Sequence, residues 1–314
     1  MVTRKNDQSW SDTVNWVLRS LIQAELENIT SSNAEELMDT SYVFSSANLD
    51  VVSSIKTVGN YGDIYKRYMQ DVVPRKGLNL LYDTSAENQV SGLQYSHPFG
   101  TIDAPRHQFA QDGKINTILN RGKLVCGVIG DDTTQSIETD YCRAISASLF
   151  SSDTSLVDLV QLTNEDNLFN KLDSGEVDVV AGVGVVFQND IIPSNTTTSG
   201  LSGLAFSQPY LYMSSSPPRA MATSQSDMDW AHFVYWVVAN LIWAEEEGIR
   251  SQTFREVPEV QLFGEQFEWM FRGCILGVGD YDEIYKRNSE SLPPRSDQNL
   301  LNDGSSPQLW QPQL

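Results

Sequence analysis

The sequence predicts an α/β protein in which a small sheet domain lies between two repeated helical modules. Two observations lead to this fold class. Part of the chain recurs at a constant offset of 220 residues, and the segment between the two copies alternates short apolar runs with amphipathic stretches. Alternating strands and helices are typical of a mainly parallel sheet that helices flank.

The repeat combines rare residues with one long motif in the same register. When the chain is aligned with itself at this offset, Trp10 matches Trp230 and Trp16 matches Trp236. The ten-residue motif VGNYGDIYKR (58–67) aligns in the same register with VGDYDEIYKR (278–287). Chance does not bring tryptophans and a long motif into one register. We therefore predict that both modules share one helical fold, which superposes from Trp10–Arg75 onto Trp230–Arg295.

The repeat divides the chain into three parts. Residues 1–100 are the first helical module, residues 101–214 are the α/β domain, and residues 215–314 comprise a linker and the second helical module. Composition indicates linkers at 97–114 and 214–227, where proline and small polar residues accumulate.

Each module begins with an amphipathic helix. Apolar residues recur at helical spacing in both copies, as Val14, Val17, Leu18, Leu21 and Ile22 in the first and Phe233, Val234, Val237, Val238 and Leu241 in the second. A few helices cannot bury such a stripe alone. Three coverings are open: both modules share the α/β domain, the modules pack on each other, or another protein covers at least one of them. We favour the last, because the linkers are long.

The central segment reads as strands and helices in turn. Strands are predicted at 123–130, 156–163, 177–187 and 205–213, and helices at 139–150 and 164–177. The runs around KLVCGVIG and VDVVAGVGVVF are apolar throughout, as expected for buried strands of a sheet.

Composition excludes several classes of function. The chain has 41 acidic and 21 basic residues and a net charge of -20, which argues against nucleic acid as a partner. No apolar run approaches the roughly 20 residues of a membrane span, so we expect no membrane insertion. The three Cys and three His lack zinc-site spacing, and no nucleophile or phosphate-loop motif occurs. We therefore expect no enzyme: no catalytic, cofactor-binding or metal-binding residues and no cofactor.

Several motifs carry a resemblance to a known family. GKLVCGV, DYCRAISASLF, LVQLTNEDNLFNKLDSGEVDVVAG and AFSQPYLY resemble the first lobe of polar amino-acid-binding proteins of bacterial ABC transporters, in particular general L-amino-acid receptors. The helical module resembles the C-terminal tail of the same receptors through SWSDTVNWVLRSLIQAELENITSSN, VGNYGDIYKR, RKGLNLLY and GLQYSHPF. The resemblance implies a solute-binding-protein-like fold.

The chain departs from that family in its order and in its ligand site. Family members run lobe one, lobe two, tail, whereas here a tail precedes lobe one and we expect no counterpart of lobe two. The loop at 131–139 is short and lacks the aromatic residue that stacks on the ligand. The stretch 181–193 contains no Arg to form a bidentate pair with a carboxylate. We therefore expect no tight binding of an amino acid.

The cysteines and the repeated cationic motif leave alternatives open. Cys126 and Cys142 lie in family motifs and are either two buried free thiols, which we favour, or a disulfide in an oxidising compartment. Cys274 aligns with Ser54 and is predicted to be a core thiol. The motif Tyr65-Lys66-Arg67, repeated at 285–287, is either a docking site or a favourable last helical turn, and we favour the turn.

Two functions remain. The first is a non-catalytic linker protein, derived from a solute-binding protein, that bridges other subunits of a larger complex. An organellar, antenna-type assembly is one hypothesis for that complex, and the acidic chain suggests basic or mixed-charge partners. The alternative is a solute-binding protein with a changed pocket. The family is periplasmic, but MVTRKNDQSW lacks the apolar core of a secretory signal, so an organelle lumen or stroma is a further expectation.

Overall fold

The computed structural model describes residues 1, 3, 7–26, 28–35, 51–73, 75, 109–130, 136–163, 168–185, 203–213, 216–260, 265–295 and 299. Within these residues the chain is a mixed α/β protein. Its elements are α1 (Gln8–Leu26), α2 (Val51–Val58), α3 (Tyr61–Tyr68), α4 (Lys114–Arg121), β1 (Leu124–Ile129), α5 (Ile137–Leu149), β2 (Val157–Leu162), α6 (Leu168–Asp173), β3 (Val179–Gly184), β4 (Leu204–Phe206), β5 (Leu211–Met213), β6 (Ser216–Ser224), α7 (Met228–Glu246), α8 (Met270–Val278) and α9 (Tyr281–Arg287).

The sheet runs in the order β2-β1-β3-β6-β4, and β5 also pairs with β6. β1 is parallel to both β2 and β3, while β6 is antiparallel to β3, β4 and β5. The parallel strands are the predicted ones. The central residues of β1 and β3 are apolar and largely buried, whereas β2, at the edge of the sheet, is mostly half-buried or exposed. The predicted fold class, an α/β domain built on a partly parallel sheet, is confirmed for this part of the chain.

The linker predicted at 214–227 is wrong for most of its length, because residues 216–224 form β6 in the middle of the sheet. Ala220, Met221 and Ala222 of this strand are fully buried. The prolines that suggested a linker stand near the start of the strand, where the carbonyl of Pro218 still accepts a bond from the N–H of Val185 at 2.8 Å. A proline there removes no bond from the centre of the ladder.

Cys126 and Cys142 form a disulfide that joins β1 to α5. Their Cα atoms are 5.9 Å apart, within the usual span of a disulfide, and both side chains are fully buried. The favoured interpretation as two free thiols is therefore wrong. Cys274 is a free, buried thiol as predicted, and burial raises its pKa to about 12.

The second helical module and the α/β domain share one hydrophobic core. Residues of α7, α8 and α9 pack with α5 and with the sheet in a single cluster. The predicted stripe of α7 is covered, since Phe233, Val237, Val238 and Leu241 are all buried. Trp243, which has no counterpart in the first module, is buried as well.

The first helical module has its own smaller core, which also reaches the sheet. Trp16, Leu21 and Ile55 pack together with Val185 and Ala220 of the α/β domain. Both modules therefore contact the α/β domain, which is the first of the three coverings. The covering is uneven, because Val14, Val17, Leu18 and Ile22 are only half-buried on α1.

Candidate protein-docking site

The helices of the two modules recur in the same order at the 220-residue offset. α1 and α7 are both 19 residues long. Asn60 and Asp63 form a capping box at the start of α3, and Asp280 and Glu283 form the same box at the start of α9. Gly59 and Gly279 precede these caps with φ of 80° and 90°, a conformation that suits glycine.

An arginine–glutamate clamp closes each module at equivalent positions. Arg295 forms two bonds of 2.5 Å to the carboxylate of Glu245, and Arg75 bonds both oxygens of Glu25 at 2.5 and 2.6 Å. Each guanidinium lies over two tyrosine rings, at 5.0 and 5.8 Å in the second module and 5.0 and 5.6 Å in the first. Arg75 uses Nη1 and Nη2 for these bonds, whereas Arg295 uses Nη2 alone and donates from Nη1 to Asp282 at 2.8 Å. The same Arg–Glu pair stacked on two rings nevertheless recurs, which makes the two modules directly comparable.

Electrostatics reinforces the clamp of the second module. Burial raises the pKa of Glu245, although Arg295 acts in the opposite direction. Burial likewise opposes ionisation of Asp282, but Lys286, Arg295 and Arg250 together lower its pKa. Three cations thus converge on one carboxylate, and Gly62 occupies the equivalent position in the first module.

The first tryptophan of each module has opposite surroundings. Trp230 is 1% exposed, stacks on Phe233 at 5.7 Å and donates its Nε1–H to the carbonyl of Asp178 at 2.8 Å. Trp10 is 55% exposed. The local backbone is the same in both, since Asp7 caps the N–H of Trp10 as Asp227 caps that of Trp230. The difference therefore lies in the covering and not in the helix.

The repeated cationic motif shows a similar contrast. Arg287 donates from Nε to Asp140 of α5 at 2.9 Å and from Nη2 to the carbonyl of Val278 at 2.8 Å. Arg67 makes the second bond, to the carbonyl of Val58 at 3.2 Å, and lies exposed beside the ring of Tyr68. The motif thus caps the preceding helix in both modules, and in the second it also docks on α5.

Exposed apolar side chains concentrate on the first module. Among the described residues, most large apolar side chains with substantial exposure belong to it: Trp10, Val58, Tyr68, Met69, Val72 and Val73. We call these residues the apolar surface of the first module. Lys66 and Arg67 lie within the same chain segments and are exposed. Aromatic residues, methionine and arginine are the types that are enriched at protein interfaces.

A polar cleft of about 350 Å³ also lies in the first module. It is bordered by Glu25, Asn60, Gly62, Lys66 and Arg75, among others. Glu25 and Arg75 already neutralise each other there.

The α/β domain carries one arginine that the sequence reasoning missed. The stretch 181–193 contains no Arg, but β6 places Arg219 opposite Gly184 of β3. Its Nη1 bonds Glu138 Oε1 at 2.8 Å, so an internal carboxylate already occupies the guanidinium. Recognition of 216–224 as a strand would have revealed it, because this strand pairs with the one that contains 181–184. The predicted short loop, 131–139, and the remainder of 181–193 lie partly outside the described residues.

The described part of the chain contains neither a metal-binding cluster nor a membrane-spanning helix. No group of three or more His, Cys, Asp or Glu side chains there could hold a metal ion. No described helix has both the length and the apolar character that crossing a bilayer requires.

Comparison with known proteins identifies solute-binding proteins as similar chains. No protein-family model matches the chain. Over 115 residues the chain is 30% identical to the general L-amino acid-binding periplasmic protein AapJ of Rhizobium johnstonii. This match covers 30% of the chain and 32% of the relative. The chain thus spans about a third of that relative's length.

The fold is also similar to that of a solved binding-protein structure. An ABC transporter periplasmic binding protein from Brucella ovis with glutathione bound is 19% identical, with a TM-score of 0.46, and covers 60% of this chain and 96% of its own length. The sequence relative confirms the resemblance to amino-acid-binding proteins that the motifs indicated. Both similar proteins are binding proteins and neither is an enzyme.

Proposed function

We propose that this chain is a non-catalytic, solute-binding-protein-like subunit that links protein partners. The second module holds the α/β domain of its own chain, while the first module presents its apolar surface to another protein. One observation carries the proposal: Trp10 and Val58 are exposed in the first module, whereas their equivalents in the second module, Trp230 and Val278, are buried.

The two modules are best understood as copies of one unit with different coverings. The shared capping boxes and Arg–Glu clamps support a common origin, because neither follows from helix formation alone. The contacts that Trp230 and Arg287 make with the α/β domain then show what this face of the module does when it is covered. The first module has kept the face without that covering.

The apolar surface is large enough to hold a partner. Burying a large apolar side chain contributes roughly 1.5–3 kcal/mol, and an aromatic side chain removes about 150–250 Å² from water. Trp10, Tyr68 and Val72 are 55%, 66% and 77% exposed, so most of this stabilisation is still available to binding. Lys66 and Arg67 favour acidic side chains opposite this surface, whereas the net charge of -20 led us to expect basic or mixed-charge partners. A partner of mixed charge satisfies both.

The arrangement of the sheet supports a role other than closure around a ligand. Solute-binding proteins of this type close two lobes around their ligand. Here only two residues separate β5 from β6, and the strands pair as Met213 with Ser216. The chain thus turns directly into β6 at this point, and no second lobe is inserted there.

Cross-linking of the native assembly tests this proposal. The tagged chain is purified from its source with its partners and treated with an amine-reactive cross-linker, and the linked peptides are sequenced. We expect links to other proteins from Lys56 and Lys66 of the first module, both exposed. Lys123 and Lys171 of the α/β domain serve as controls. A chain that purifies as a monomer, or whose links to partners lie only on the α/β domain, contradicts the proposal.

A second candidate function is supported by Arg219. Arg219 lies on β6, the strand next to β3. The similar protein from Rhizobium johnstonii is a general L-amino acid-binding protein. If the salt bridge to Glu138 opened, Arg219 could bind a ligand carboxylate. Thermal unfolding of the chain with each common amino acid tests this alternative, because ligand at a hundred times its Kd stabilises by about 2.7 kcal/mol. The linking proposal expects no shift, both in the wild type and in E138Q.

A further inference from the structure

The second module approaches the α/β domain closely at two glycines of α8. Gly273 is buried and Gly277 lies at the edge of the same contact, four residues further along one face of the helix. A Cβ atom at position 273 would lie 2.8 Å from the carbonyl oxygen of Ala147. A Cβ atom at position 277 would lie 3.0 Å from the Cβ of Ala147 and 2.7 Å from Cγ2 of Thr154. Both glycines therefore let α8 pack directly on the end of α5.

The α5 side of this contact has little freedom to move. The carbonyl of Ala147 accepts the N–H of Ser152 at 2.8 Å, which fixes the turn after the helix. Ser151 and Ser152 adopt φ of 51° and 77°, so this turn is already in a conformation that side chains rarely adopt. A side chain added to α8 would thus meet fixed backbone at Ala147.

The equivalent positions of the first module are not glycines. The 220-residue offset aligns Gly273 with Ser53 and Gly277 with Thr57 of α2. Both side chains are exposed, and the hydroxyl of Thr57 donates to the carbonyl of Ser53 at 2.8 Å. If α2 lay on α5 as α8 does, the Cβ of Ser53 would meet the Ala147 carbonyl, and Thr57 would meet Ala147 and Thr154.

We infer that these two positions decide which module occupies α5. Gly273 and Gly277 commit the α5 surface to the second module, and Ser53 and Thr57 exclude the first module from it. Two units of one fold in one chain would otherwise compete for the same surface, and exclusion by a steric clash is an effective way to discriminate between them. The inference concerns assembly within the chain. It rests on the proposed function only in one respect, namely that the first module, once excluded from α5, is available to bind another protein.

The first experiment compares one added methyl group at the two equivalent positions of the full chain. G273A should lower the melting temperature by about 2–4 °C, because the added methyl group overpacks the contact with the Ala147 carbonyl. Alanine is the better helix former, so a loss of stability must come from the contact and not from the helix. The matched control S53A, on exposed α2, should leave the melting temperature unchanged or slightly higher. Equal behaviour of the two variants would overturn the inference.

The second experiment exchanges the determinants and follows α5 by hydrogen-exchange mass spectrometry. G273S/G277T should speed exchange in α5 and α8 several-fold. Adding S53G/T57G to this variant should restore protection of α5 and raise that of α2, while α8 stays unprotected. Full protection of α8 in G273S/G277T would show that the glycines are not required. Absence of any restored protection in the fourfold variant would show that Ser53 and Thr57 are not what excludes the first module.

These outcomes are independent of the cross-linking test. The exchange experiment needs no partner, so a failed partner search leaves it intact. Conversely, partner links from Lys56 and Lys66 can appear even if the glycines prove dispensable.

Discussion

Substituting the equivalent tryptophans with alanine should separate the two modules energetically. Trp230 is almost fully buried, so W230A should cost about 3–5 kcal/mol, as for other large core truncations. It would also leave the carbonyl of Asp178 without the Nε1–H donor, which adds to the loss. Trp10 is 55% exposed, so less than half of a tryptophan's roughly 150–250 Å² is buried. At about 25 cal/mol per Å², W10A should cost no more than roughly 1–3 kcal/mol.

Urea unfolding followed by circular dichroism measures this difference. With a slope of about 3 kcal/mol per M, an excess loss of about 2 kcal/mol in W230A moves the midpoint roughly 0.7 M further than in W10A. W10A should also weaken the cross-links between the first module and partner proteins. W230A is not a test of those cross-links, because it disrupts the packing of the second module. Equal midpoint shifts in the two variants would refute the reasoning, since they would mean that the first module is as well covered as the second.

Three further predictions follow from single contacts. Denatured, unreduced protein should release one thiol of its three cysteines to a thiol reagent, and C126A/C142A should be less stable by about 3 kcal/mol; three free thiols without reductant would contradict the disulfide. Native Cys274 should resist alkylation at pH 8, because burial raises its pKa to about 12, and rapid alkylation would show that the core opens readily. The lowered pKa of Asp282 stabilises the folded state above pH 3.8, the usual pKa of aspartate. This stability is lost as the pH falls through the lower pKa that Asp282 has in the folded protein. The acid limb of the stability profile should therefore flatten in D282N, and an unchanged limb would contradict this role.

Much of the fold could be predicted because its signals are local. Apolar runs marked β1, β2 and β3, and a helical stripe marked α1 and α7. The strand expected at 205–213 is divided into β4 and β5 around Pro209, whose missing N–H interrupts a strand. β6 was missed because its composition is that of a linker, while its position in the sheet depends on pairing with β3 far away in the sequence.

The site depends on long-range contacts that composition does not encode. A disulfide between Cys126 and Cys142 requires that α5 lie directly on β1, and sequence spacing alone leaves free thiols equally acceptable. Arg219 reaches Glu138 only because β6 enters the sheet. The exposure of Trp10 was likewise beyond prediction, since Trp10 and Trp230 have the same local sequence signal and differ only in what covers them.

The Cys126–Cys142 disulfide bears on where the two coverings matter. Disulfides persist mainly in oxidising compartments, which favours a periplasm or an organelle lumen over a reducing stroma among the expected locations. The bond fixes α5 to β1, and α5 is the surface on which α8 and Arg287 of the second module lie. Reduction would thus loosen one of the faces that hold the second module, while the core of the first module around Trp16 and Ile55 contains no cysteine. In the reduced chain, hydrogen exchange should accordingly rise in α8 and α9 before it rises in α2. Simultaneous loss of protection in both modules would show that they unfold as one unit, and that the uneven covering has no energetic consequence.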